Sequence, residues 1–264
     1  MRTIRIPLFL ITLFIAASVF ANPFGRYVAL VPINPGAVPG VGGSLWTTSL
    51  WITNTGDNDI PLVCESTPCP ILKAHSTTLI EHPTFDVAHQ GFFIQVPSSF
   101  PAPVLPGTLF FELRSTDSVT APESAGTEIP LIRLSAFSTT VTALPHVPVN
   151  GHSRSRLRVY GTSNGNVTVR VVGVESSQEL MTTTLALTGV DPANIAEQPV
   201  LRYPAFAEIA LPESYNSSDD AVRIEIIPSD NVAIWGFIST TDNVSQQFTI
   251  MAPTTPEYIP ISLL

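Results

Sequence analysis

Ser49-Leu50-Trp51-Ile52-Thr53-Asn54 and Arg156-Leu157-Arg158-Val159-Tyr160-Gly161 decide the fold. Both alternate with a period of two, as a strand with one buried face does. Leu50 and Ile52 share one face, as Leu157 and Val159 do in the second stretch. Each stretch meets a polar turn, Thr55-Gly56-Asp57-Asn58-Asp59 or Thr162-Ser163-Asn164-Gly165-Asn166, and then a second strand from Ile60 or Val167. Hairpins are expected at both places.

Working outward, the two halves of the chain can be laid over each other. Val31-Pro32-Ile33-Asn34 precedes the first stretch as Val147-Pro148-Val149-Asn150 precedes the second. Downstream, His82-Pro83-Thr84-Phe85 matches Tyr203-Pro204-Ala205-Phe206, Phe111-Glu112-Leu113 matches Ile224-Glu225-Ile226, and Phe137-Ser138-Thr139-Thr140 matches Ile238-Ser239-Thr240-Thr241. The reading is all-β: two tandem antiparallel β-sandwich domains, immunoglobulin-like in general architecture, over residues 23–145 and 146–258, with a tail at 259–264. The first domain carries extra material at 35–43, in a cysteine loop, and around 118–130.

Composition agrees. Hydrophobic residues make up 44% and charged residues 12%, so there is core material and little to keep a chain unfolded. Twenty-five prolines and 15 glycines punctuate short Val/Ile/Leu/Phe/Thr runs, and no sustained helical stripe follows residue 21.

Residues 1–21 read as a secretion signal: Arg2 and Arg5, an apolar run from Pro7 to Val19, and Val19-Phe20-Ala21 before Asn22. The run is too short for a good membrane span, so a secreted or periplasmic protein without membrane insertion is expected once the leader is removed. The net charge is -9, and losing Arg2 and Arg5 makes the mature chain more acidic. Nucleic acid and anionic lipid are therefore not expected partners. Cys64 and Cys69 are the only cysteines, and in an oxidising compartment they are expected to close a small loop as a disulfide.

The chain resembles a group of secreted tandem β-sandwich proteins of uncharacterised function. Their domains open with W-x-T-x-L-x-[IL]-x-N and close with Ser-x-x-Asp-Asn. Here the opening is Trp46-Thr47-Thr48-Ser49-Leu50-Trp51-Ile52-Thr53-Asn54 and the close is Ser239-Thr240-Thr241-Asp242-Asn243. The resemblance implies fold and export and carries no catalytic assignment.

Candidate chemistry is sparse, and no catalytic residue, cofactor or metal ligand is assigned. Gly161-Thr162-Ser163-Asn164-Gly165 satisfies G-x-S-x-G, but a nucleophile elbow needs a helix next, whereas an alternating strand follows. His75, His82 and His89 are spaced by seven, an odd number that turns neighbours to opposite faces of an extended chain. Glu112 and Glu225 fall at matched positions, so both are expected to face solvent and not to form an acid/base pair. Asp57-Asn58-Asp59 and Asp219-Asp220 could hold calcium, but turns use the same residues.

The tryptophans divide by parity. Trp46 has core parity, and Trp235 lies in the all-apolar run Val232 to Ile238 of a central strand. Trp51 points away from its own domain's core. It is expected to be covered by the cysteine loop, the 118–130 insertion or the second domain, or else to serve as a stacking platform or interface. The functional expectation is an exported non-enzymatic protein, structural, adhesive or protein-binding, whose partner is a protein or polysaccharide. A carbohydrate-binding module using Trp51 with Phe92 or Phe93 is the alternative, and a secreted hydrolase a weaker one.

Overall fold

The computed structural model describes residues 27–33, 36–39, 43–62, 70–80, 90–96, 108–149, 151–189, 203–215, 217–229, 231–245 and 248–253. The leader, both cysteines, His82 and His89 lie outside them. Apart from short 3-10 turns, as at Leu134–Ala136, the regular structure described is strand. No helix among the described residues is long and apolar enough to cross a membrane.

In the N-terminal half the strands are β1 (Tyr27–Val31), β2 (Gly36–Pro39), β3 (Leu45–Asn54), β4 (Ile60–Pro61), β5 (Ile71–Leu72), β6 (Ser76–Ile80), β7 (Phe92–Val96), β8 (Leu109–Asp117), β9 (Thr127–Ile129) and β10 (Ile132–Arg133). The C-terminal half holds β11 (Thr142–Pro148), β12 (Ser153–Gly161), β13 (Gly165–Gly173), β14 (Glu179–Leu187), β15 (Ala205–Ala210), β16 (Ala221–Pro228), β17 (Ile234–Asp242) and β18 (Phe248–Met251). β11 spans the expected boundary at 145/146 and pairs with β16.

Among the described residues these strands form four antiparallel sheets of three or more strands, stacked in layers. Sheet 1 is β2-β3-β8-β9 with β6 also on β3; sheet 2 is β10-β1-β7; sheet 3 is β15-β12-β17-β18; sheet 4 is β11-β16-β13-β14. A small β4-β5 pair completes the N-terminal half. The alternation read from the sequence fixes which faces meet. Leu50, Ile52 and Leu113 of sheet 1 pack on Val31, Phe92 and Ile94 of sheet 2, while Leu157, Val159 and Ile238 of sheet 3 pack on Val169, Ile224 and Ile226 of sheet 4. Each half is thus sandwich-like.

A third core joins the halves. Val28, Leu30 and Phe93 leave the other face of sheet 2 and meet Tyr160, Trp235 and Phe237 on the other face of sheet 3. The two inner sheets are therefore buried on both sides, which is why Phe92–Ile94 and Ile234–Ile238 are apolar runs rather than alternating stretches. Burying one such side chain contributes about 1.5–3 kcal/mol, so six of them hold the layers as one stack.

Sheets 1 and 3 share a connection order. In sheet 1 it is β6-β3-β8-β9 and in sheet 3 β15-β12-β17-β18, so β3 corresponds to β12 and β8 to β17. Two of the residue matches expected from the sequence do not survive this correspondence. Phe111-Glu112-Leu113 lies on β8, which pairs with β3, whereas Ile224-Glu225-Ile226 lies on β16, which pairs with β11 and β13. Phe137–Thr140 is a loop with one bridge at Ser138, while Ile238–Thr241 is inside β17. The match that does hold at the strand ends is Ser115-Thr116-Asp117-Ser118-Val119-Thr120 with Thr240-Thr241-Asp242-Asn243-Val244-Ser245. Each aspartate folds back on the backbone N–H groups two and three residues on.

Candidate functional site

β3 and β8 lie side by side in sheet 1 with Trp51 opposite Glu112 and Thr53 opposite Phe110. These four residues share the face turned away from the sheet 1–sheet 2 core, because Leu50, Ile52 and Leu113 take the inward positions. Trp51 is 40% exposed and Phe110 55% exposed. The expectation that Trp51 is covered is corrected: its face lies outermost in the stack, and the insertion pairs edge-on, β9 to β8, instead of folding over the face. The neighbouring hydroxyls of Thr53 and Thr77 bond each other at 2.9 Å, and Arg114 Nε donates to Glu112. Together Trp51, Thr53, Thr77, Phe110, Phe111 and Glu112 border a shallow hollow of about 500 Å³.

Phe110 was not among the sequence candidates, although a signal existed. It shares strand parity with Glu112 and Arg114, so an aromatic residue sits where polar residues belong. Phe92 and Phe93, offered as partners for Trp51, are instead buried on opposite faces of sheet 2. Trp46 is half-buried and tilts against Phe248 of the other half at 5.9 Å between centroids. Trp235 is buried in the seam as its apolar run implies.

Several of the polar candidates have a structural partner. Ser163 lies in the turn between β12 and β13, and the chain continues as strand, so the strand–turn–helix geometry of an elbow is not formed there. His75 Nε2 is 3.0 Å from Asp57 Oδ1, and Asp59 binds Lys73 Nζ at 2.7 Å and the Ala74 N–H at 3.0 Å. The described residues contain no group of three His, Cys, Asp or Glu placed to hold a metal ion. Glu112 is solvent-facing, but Glu225 is a correction: it is 8% exposed and accepts from Arg170 Nε at 2.8 Å and Arg223 Nε at 2.9 Å. Arg170 first, with Arg223, holds its carboxyl below the usual range.

Asp219 is a clamp. Its carboxylate accepts from the Ser176 hydroxyl at 2.6 Å and from the N–H groups of Ser176 and Glu175 at 2.9 and 2.8 Å. The Ser176 contacts lead in holding it down to about 2. Asp117 is likewise held to about 2, first by the Thr120 hydroxyl and then by the N–H groups of Thr120, Val119 and Leu45. A carboxylate satisfied by backbone donors organises a turn.

No protein-family model, no curated protein and no solved structure matches the chain.

Proposed function

We propose that this chain is an exported, non-enzymatic protein of the cell envelope or extracellular space that binds another protein through the Trp51–Phe110 face, in a structural or adhesive role. One comparison within the molecule carries the reading. By strand register, Thr53 and Phe110 correspond to Tyr160 and Trp235, and Trp51 and Glu112 correspond to Arg158 and Phe237. In the C-terminal half that face is covered by Val28, Leu30 and Phe93 of another sheet. In the N-terminal half it keeps aromatic residues at both cross-strand sites yet remains open. A surface built for sheet packing and left exposed is what a partner's sheet would cover.

The leader-like residues 1–21 support export, and the shared connection order supports two copies of an immunoglobulin-like sandwich. Cys64 and Cys69 would then be oxidised to a disulfide. The test is a pull-down from native envelope and culture extracts, with the mature chain and a Trp51→Ser, Phe110→Ser variant as parallel baits. A partner kept by the first and lost by the second is expected. Identical recovery on both baits overturns the reading.

A second reading is favoured by the hollow itself, where an indole ring is bordered by hydroxyls and a carboxylate, as in sugar-binding surfaces. It expects tryptophan fluorescence to change on adding a neutral polysaccharide, and the change to vanish in Trp51→Ala.

A further inference from the structure

At one end of the stack sheet 2 stops short. There β1 ends at Val31 and β7 begins at Phe92, while β3 reaches Leu45, β12 Ser153 and β17 Asp242. Sheets 1 and 3 overhang that end of sheet 2. The overhang encloses a cleft of about 460 Å³ floored by Ile33, just past the end of β1. Such a volume lies within the range of about 300–1,000 Å³ usual for small-ligand clefts.

Its walls are chemically distinct. β12 alternates Arg154, Arg156, Arg158 and Tyr160 on the face turned to sheet 2. Tyr160 is under the short sheet, and the three arginines step out of the seam along the cleft. Glu208, opposite Arg158 on β15, bonds Arg158 Nε at 2.7 Å and also takes Arg156, so one carboxylate fixes two guanidinium groups. Arg158 is further seated 5.7 Å from the Phe237 ring centroid. The cleft gathers three guanidinium groups and one lining carboxylate, Glu213, in a chain whose 12 basic residues are outnumbered by 21 acidic ones. Sheet 1 faces the arginines with Trp46, Thr48 and Ser115, while sheet 3 itself adds Phe248, which tilts against Trp46, and the hydroxyl-bearing Ser239 and Thr241.

We propose that this cleft binds an acidic saccharide, a uronic-acid unit of a polysaccharide, with Arg154 and Arg156 on its carboxylate and Trp46 and Phe248 against its ring. Guanidinium pairs suit planar carboxylates, and aromatic faces suit the C–H face of a sugar. An acidic peptide would use the arginines but leave the aromatic pair and the row of hydroxyls without a role. The site is separate from the Trp51 face and does not depend on the reading given to it.

Titration calorimetry of the mature chain with a short oligogalacturonate at low salt tests this, with the methyl ester of the same oligomer and poly-glutamate in parallel. Binding of the acid alone is expected, with quenching of tryptophan emission and weakening as salt is raised. The Arg154→Gln, Arg156→Gln variant should lose about tenfold or more in affinity with its thermal midpoint held, because both side chains are exposed. Trp51→Ser should bind as the parent does, which separates failure here from failure at the outer face. No binding of the acid, equal binding of the ester or of poly-glutamate, or unchanged affinity in the double variant overturns the proposal.

Discussion

The Tyr160 hydroxyl donates a hydrogen bond to the Pro32 carbonyl oxygen, across the seam that joins the two halves of the chain. Tyr160 is fully buried, stacked on Phe237 and tilted against Phe206 and Trp235. Burial raises its phenol far above the ordinary value, so it stays a neutral donor throughout the accessible pH range. Tyr160→Phe removes the donor and leaves a buried acceptor, at a cost of about 1–3 kcal/mol. Tyr160→Ala adds a cavity and should cost about 3–5 kcal/mol. Urea unfolding monitored by circular dichroism measures both. A Tyr160→Ala protein as stable as the parent would mean that the seam does not hold the halves together.

The tryptophans should separate by environment. Trp51→Ser is expected to change stability by no more than about 0.5 kcal/mol, since little packing is lost from an outer face. Trp235→Ala, in the seam, should cost about 3–5 kcal/mol. Acrylamide should quench the parent's emission in two components, and Trp51→Ser should remove the accessible one. Loss of the protected component instead would place Trp51 under cover.

The period-two alternation of Leu50/Ile52 and Leu157/Val159 made the strands and their inward faces legible, because a strand's parity is written in sequence. The seam was only half legible: the apolar run around Trp235 announced a sheet buried on both sides, but nothing local says which sheet covers it. Side-chain identity misled in pairing Glu112 with Glu225, since the two sit on strands with different neighbours and only long-range pairing separates them. The cleft was invisible for a related reason. It arises because strands in three different layers do not end at the same level, and the Arg154/Arg156/Arg158 alternation reads in sequence as an ordinary solvent face.

Gly236 tests the fit between sheets 3 and 4. A Cβ there would stand 2.8 Å from the Arg158 carbonyl oxygen and 2.9 Å from Ile226 Cδ1, so strand β12 or the sheet 3–sheet 4 core must shift. Gly236→Ala is expected to destabilise by about 1–3 kcal/mol, as overpacking does. Because Arg158 lies on the displaced strand, the same variant should weaken oligogalacturonate binding. Unchanged stability in chemical denaturation would show that the layers have slack at this point.

Acid should loosen the turns before the cores. Asp117 and Asp219 are held near 2 in the folded chain against an ordinary value of 3.8, by hydroxyl and backbone donors that outweigh the opposing effect of burial. Their folded-state values are depressed, so the stability they contribute is fully present above the unfolded value and is lost as pH falls from about 4 toward 2. Asp242, lowered chiefly by the Ser245 N–H, adds to the same slope. Urea midpoints should therefore be level from neutrality down to about pH 5 and decline below about pH 4. Replacing Asp117 and Asp219 together by Asn removes those titrations while keeping an acceptor oxygen at each turn. The double variant is expected to be less stable at neutral pH and to show a shallower acid decline. A decline as steep as the parent's would assign the acid sensitivity to other carboxylates and deny the two clamps their role.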